Sequence, residues 1–204
     1  MKPGLFQNLH RVAVYCGSAM PVDSKHVESA RVFARLLASN GIGIVYGGSE
    51  SGIMKILADT ALESGGEVTG VFTKSLEDEQ IHPGLTESVF VENLAERKTA
   101  LIEMADAVVA LPGGFGTLDE LFDAIARRRM YRGGHTKPLG LLNVNGYYDA
   151  LFEFLIQVQL NGYSSAEDTA LLISSSNPVN LLERLNDAVG PPGISRGDAL
   201  RVRR

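Results

Sequence analysis

The chain has 204 residues, 45% of them apolar and 21% charged, with a formal net charge of -5. That size buries a full hydrophobic core and suggests one domain. The acidic balance argues against a general nucleic-acid binder, which usually shows a basic excess, but a local patch can still hold a small anion.

Strands and helices alternate along the sequence. Residues 11–16 (RVAVYC) form an apolar run ending in Gly17-Ser18, a first strand. Val27, Ala30, Ala34 and Leu37 recur at spacings of three and four, which predicts a helix over 24–39. Asn40-Gly41 closes it with residues that tolerate positive φ. A second strand is expected at 43–46 before Gly47-Gly48, then a helix over 53–64 and a third strand over 67–72. Residues 74–85 read as a polar loop, 87–91 as a short strand and 94–104 as a helix. Residues 107–111 read as a buried strand, followed by Pro112-Gly113-Gly114 and a helix over 117–129. A strand at 138–144, a helix at 147–160, a strand at 171–173 and a helix at 180–189 complete the pattern. The segment 190–204, rich in Pro, Gly and Arg, reads as a loose tail after a single domain over 1–189.

Apolar, unalternating strands between helices predict an α/β fold: a Rossmann-like, three-layer, doubly wound sheet of about seven mostly parallel strands. Ligands in such sheets sit at the carboxyl ends of the strands. Three strand ends carry glycine here: Gly17-Ser18, Gly47-Gly48 and Gly113-Gly114.

The strongest motif is Pro112-Gly113-Gly114-Phe115-Gly116-Thr117-Leu118-Asp119-Glu120. Glycines let the backbone approach a ligand, and a helix start offers unpaired N–H groups at the positive end of its dipole, so an anion fits. Such a turn can also need glycine for its shape alone. The motif lacks the Gly-Lys-Ser/Thr ending of a P-loop and the third glycine of a dinucleotide fingerprint. A mononucleotide or sugar phosphate fits better. Thr117 and Glu120 have capping-box spacing, so Glu120 either caps the helix or faces the sugar of a ligand.

Arg97 lies on the apolar stripe of Leu94, Leu101 and Met104. A cation facing inward needs an anionic partner, either an internal carboxylate or a ligand phosphate. Its neighbour Lys98 is a further candidate. The run Arg127, Arg128, Arg129 and Arg132 suits a helix C-terminus or an anionic ligand. His10, His26, His82, His135 and Cys16 show no metal-ligand spacing, and no metal is expected. The lone cysteine excludes an internal disulfide and fits a reducing compartment. Residues 1–10 lack the apolar core of a signal peptide, and no run approaches the ~20 apolar residues of a membrane span. A cytoplasmic location is expected.

These residues resemble the Lonely Guy family, phosphoribohydrolases that activate cytokinins and are often mislabelled as lysine decarboxylases. The family's PGGxGTxxE matches Pro112 to Glu120, and its arginine-lysine pair matches Arg97-Lys98. Its CGS matches Cys16-Gly17-Ser18, its YGG matches Tyr46-Gly47-Gly48, and KPLGLLNVNGYY at 137–148 is close to the family's. The resemblance implies hydrolysis of the N-glycosidic bond of a nucleoside 5'-monophosphate to a free base and ribose 5-phosphate, without a cofactor.

It implies Arg97 and Glu120 for chemistry, and Gly113, Gly114, Phe115, Gly116 and Thr117 for phosphate. Gly17, Ser18, Gly47, Gly48, Lys98 and Glu79 are implied around the substrate. The chain departs from the family at Ser49, Lys55, Ala95 and Ala126-Arg127. AMP is then a plausible substrate beside a cytokinin nucleotide.

Molybdenum cofactor carrier proteins share the fold and a similar glycine loop, which gives a non-catalytic carrier as the alternative. Amino-acid decarboxylation is disfavoured, because pyridoxal chemistry needs a Schiff-base lysine and none stands in a recognisable context. The helix over 147–160 is apolar nearly all round, so it is deeply buried or lies at a subunit interface. The family is typically dimeric, and a homodimer is expected.

Overall fold

The computed structural model describes residues 6–74, 80–130, 137–169 and 172–189. The tail beyond residue 189, Glu79, Arg132 and His135 lie outside the described residues, as do the side chains of Arg128 and Arg129.

Seven parallel strands form one sheet: β1 (Arg11–Tyr15), β2 (Gly43–Tyr46), β3 (Val68–Thr73), β4 (Glu87–Val91), β5 (Ala107–Ala110), β6 (Leu139–Leu142) and β7 (Leu172–Ser175). Their order is β4-β3-β2-β1-β5-β6-β7. The winding reverses between β1 and β5, which pair from Val12↔Ala107 to Tyr15↔Ala110. The helices are α1 (Ser24–Ser39), α2 (Gly52–Glu63), α3 (Leu94–Glu103), α4 (Phe115–Met130), α5 (Asp149–Leu160), α6 (Ala166–Thr169) and α7 (Pro178–Val189).

Successive strand residues point to opposite faces, so the central strands feed two cores. Val12, Val14 and Cys16 of the β1 run join Phe33 and Leu37 of α1, Leu57 of α2 and Leu181 of α7. Ala13 and Tyr15 join Leu101 of α3, Leu121 of α4 and the partly buried Leu151 and Phe152 of α5. Both faces are covered, and that is why the inner strands carry apolar residues without alternation. The edge strand β4 is mostly exposed; its Phe90 stacks on Phe72 with ring centroids 5.4 Å apart.

Most expected boundaries hold within a residue or two, and two departures carry meaning. α4 begins at Phe115, not at Thr117, because Gly114 supplies the first carbonyl, which accepts from the Leu118 amide at 3.0 Å. Thr117 is therefore the third helical residue, and the Thr117/Glu120 capping box is excluded. α5 contains no fully buried residue, and Phe154, Ile156 and Leu160 are exposed. Of the two readings of this apolar helix, deep burial within the chain is corrected. Among the described residues, no helix is long and apolar enough to cross a membrane.

The loop after β2 is locked from two sides. Gly48 has φ +85°, and a Cβ there would collide with the Phe72 ring. The Gly48 carbonyl accepts from the His82 amide at 2.9 Å, and buried His82 reaches Asp59 of α2 at 2.9 Å through Nε2. Nδ1 of His82 meanwhile accepts from the Gly84 amide, which leaves Nε2 as the protonated nitrogen. The Gly48→Ala variant adds both left-handed strain and overpacking. It is expected to lose about 2–4 kcal/mol in urea unfolding; wild-type stability would show that Phe72 does not confine this turn.

Candidate functional site

A cavity of about 440 Å³ opens where the winding reverses. That volume suits a small-molecule site. Its floor is made by the carboxyl ends of the central strands: Cys16 and Gly17 after β1, Gly47 after β2, and Pro112 and Gly113 after β5. One wall is the β1–α1 connection from Ser18 to Pro21 together with His26 in the first turn of α1. The opposite wall is the glycine loop, the first turn of α4 and Glu120.

The first turn of α4 is built to leave donors open. Gly114, as the residue before the helix, has no side chain to cap it. Among the described residues, no acceptor meets the amides of Phe115, Gly116 or Thr117. The Thr117 hydroxyl is buried and, among the described residues, has no hydrogen-bond partner. It lies against Gly113, where any Cβ would collide with it. At Gly114 and Gly116, by contrast, a Cβ would meet open space. Gly113 is thus required by packing, and the other two keep the approach to the amides clear.

Two tyrosines hold this loop in place. Tyr148, buried, donates to the Leu111 carbonyl at 2.6 Å, and Tyr147 donates to the Gly113 carbonyl at 2.5 Å. Burial pushes the Tyr148 hydroxyl above its ordinary range, so it stays a donor at any ordinary pH. In the sequence both tyrosines read as part of an apolar helix and of the family-like block at 137–148, with no role for either hydroxyl. A buried phenol needs a partner for its hydroxyl, and that was the available signal.

Arg97 enters the cavity from α3. It is 9% exposed; Nε donates to the Val71 carbonyl at 2.8 Å and Nη2 to the Gly47 carbonyl at 2.6 Å. Backbone carbonyls of β3 and of the β2 end thus fix the orientation of its guanidinium. Gly47 must lack a side chain, since a Cβ would sit 2.6 Å from Nη2. Glu120, one turn into α4, lines the same cavity. Its charge is felt at the end of β1. Burial pushes the Cys16 thiol and the Tyr15 hydroxyl far up, and the Glu120 carboxylate adds to both shifts. Cys16 is therefore a neutral thiol in the floor, not a nucleophile.

Of the residues expected at the site, Gly17, Ser18, Gly47, Arg97, Gly113, Gly114, Phe115, Gly116, Thr117 and Glu120 line the cavity. Gly48 does not; it is packed behind Phe72. Lys98 turns elsewhere, with Nζ 3.1 Å from both carboxylate oxygens of Asp119 and 3.9 Å from Asp123. Arg127 pairs with Asp123 at 2.6 Å on the surface of α4. His26, Met54 and Tyr147 line the cavity although sequence reasoning did not select them.

A family model described as possible lysine decarboxylase matches residues 54–185. The cytokinin riboside 5'-monophosphate phosphoribohydrolase LOG2 of Arabidopsis thaliana is 34% identical over 180 residues, covering 88% of this chain and 84% of that protein. LOG5 of the same plant is 35% identical, covering 86% and 76%. LOG of Oryza sativa subsp. japonica is 34% identical, covering 88% and 74%. Among solved structures, the molybdenum cofactor carrier protein of Chlamydomonas reinhardtii matches with a TM-score of 0.66 at 16% identity, over 89% of this chain and 98% of that one. The molybdenum cofactor binding protein of Rippkaea orientalis matches with a TM-score of 0.64 at 20% identity, over 88% and 96%. At such identities the likeness is one of fold.

Proposed function

Since the chain belongs to the Lonely Guy family of cytokinin riboside 5'-monophosphate phosphoribohydrolases, we propose that its cavity cleaves the N-glycosidic bond of a nucleoside 5'-monophosphate. The products are a free base and ribose 5-phosphate. Substrates are cytokinin riboside monophosphates or AMP. The observation that carries this reading is the open first turn of α4, whose three unmatched amides and buried Thr117 hydroxyl share one cavity with Glu120.

The phosphate sits on the amides from Phe115 to Thr117 and takes the Thr117 hydroxyl as a further donor, with the positive end of the helix behind it. Gly113, Gly114 and Gly116 keep side chains out of its path. Gly17, Ser18 and Gly47 shape the floor under the sugar. Breaking the bond from C1' to the base nitrogen sends the electron pair to the base and builds positive charge on the ribose, as in an oxocarbenium-like transition state. The Glu120 carboxylate stabilises that charge and orients the water that adds to C1', and the proton that water releases ends on the base nitrogen. Arg97, pinned to two strand ends, lines the same cavity and balances the charge of Glu120. A carrier reading rests on fold likeness alone, and an Arg and a Glu facing one cavity favour the enzyme.

The test is incubation with AMP and isopentenyl-AMP, with free base and ribose 5-phosphate measured together. Both products are expected in equal amounts. Glu120→Gln is expected to lose about 10²–10³-fold in kcat with an unchanged melting temperature. No base release across a panel of nucleoside monophosphates would overturn the function, and full turnover by Glu120→Gln would remove that residue from the chemistry.

We also assign the protein to homodimers and to the cytoplasm. Phe154, Ile156 and Leu160 of α5 are exposed, as are Tyr163 and Phe122 of α4, and a second copy is the occupant that would cover such apolar side chains. The single buried thiol suits a reducing compartment. Light scattering is expected to give twice the chain mass. Phe154→Glu with Leu160→Glu is expected to give the chain mass; a monomeric wild type would contradict the assignment.

A further inference from the structure

The open turn of α4 meets a phosphate from one side only, yet a phosphate dianion has three terminal oxygens to satisfy. The cavity wall offers few side-chain donors for the other side. Thr117 belongs to α4 itself. Tyr147 has given its hydroxyl to the Gly113 carbonyl. Arg97 has committed Nε and Nη2 to carbonyls at the β2 and β3 ends, away from the β5 end where the glycine loop begins. Ser18 and His26 remain on the facing wall.

His26 is placed at the glycine-loop end of the cavity by a short chain of contacts. Its ring meets Tyr147 edge-on, with centroids 5.3 Å apart and planes at 84°. Tyr147 in turn holds the Gly113 carbonyl at 2.5 Å. The imidazole is half-buried, and among the described residues neither ring nitrogen has a hydrogen-bond partner. Its backbone is fixed: the amide accepts no freedom beyond the first turn of α1, where it donates to the Asp23 carbonyl at 3.1 Å. A polar ring held by its edge, with unused nitrogens, is a side chain kept for something that enters the cavity.

We propose that His26 is the side-chain ligand of the substrate 5'-phosphate, closing over it from α1 while the α4 amides hold it from below. The imidazole carries an N–H donor in either protonation state, so the contact forms without a required charge. When protonated it adds a charge-assisted bond. His26 thereby sets the preference for phosphorylated over unphosphorylated nucleosides. This rests on the nucleotide reading above, and it assigns no part in bond cleavage to His26.

The variants are His26→Phe, which keeps an aromatic edge against Tyr147 and removes the donors, and His26→Asn, which keeps one donor. His26→Phe is expected to raise KM for AMP about tenfold or more, with kcat nearly unchanged. The inhibition constant of ribose 5-phosphate should rise in step, hydrolysis of adenosine should not change, and His26→Asn should recover part of the loss. A fall in kcat with KM unchanged, or wild-type KM and inhibition in His26→Phe, would overturn the assignment.

Thermal shift with inorganic phosphate gives a reading that needs no turnover. Phosphate should raise the melting temperature of the wild type and raise that of His26→Phe much less. If the wild type releases no base yet shows this difference, the nucleotide-hydrolysis reading falls and the phosphate contact stands. Equal shifts in both proteins, or none in either, would refute the contact.

Discussion

Among the described residues, three backbone amides at the start of α4 find no acceptor, and the architecture around them keeps them in that state. A helix start normally recruits a Ser, Thr, Asp or Asn side chain to bond its first N–H groups. α1 does so through Asp23, and α3 through Asn93. α4 has Gly114 in that place and leaves its donors facing the cavity. A buried hydroxyl without a partner costs about 1–3 kcal/mol, and Thr117 carries such a hydroxyl beside them. A phosphate relieves both deficits together, and a neutral sugar relieves neither as well.

The location of this turn follows from the winding of the sheet. Between β1 and β5 the connections diverge to opposite faces, so α1 and α4 leave a crevice between their starts. An overall charge of -5 is no obstacle, because the crevice contains its own positive sources: the dipole of α4 and the Arg97 guanidinium. Glu120 adds a carboxylate to the same cavity. Its neighbours Cys16 and Tyr15 are held neutral by burial and by Glu120 itself, so Glu120 supplies the negative charge among the described residues that line the cavity. A site that pairs an anion cradle with a separate carboxylate suits a substrate that is an anion at one end and becomes a cation at the other.

Much of this was legible in the residue order. The strand runs were recognisable because a doubly covered sheet needs unbroken apolar segments, and α1 and β2 were bounded correctly by the turn residues that follow them. The inward placement of Arg97 followed from helical spacing alone. What spacing does not encode is which distant group answers a side chain. Arg97 meets the backbone carbonyls of Val71 and Gly47, and Lys98 meets Asp119, which is 21 positions away. Thr117 looked like a cap because Thr and Glu three apart usually make one; the helix starts two residues earlier because glycine can end the loop there. His26 and Tyr147 come together only through the fold, 121 residues apart in sequence, and no spacing along the chain predicts that contact.

The most direct measurement is a nitrogen-15 amide titration with AMP, compared with adenosine. The Phe115, Gly116 and Thr117 resonances should move strongly with the nucleotide and little with the nucleoside, whose shifts should fall elsewhere on the cavity wall. Nucleotide binding that leaves those three amides unmoved would contradict the phosphate cradle, and with it the account of why α4 begins uncapped.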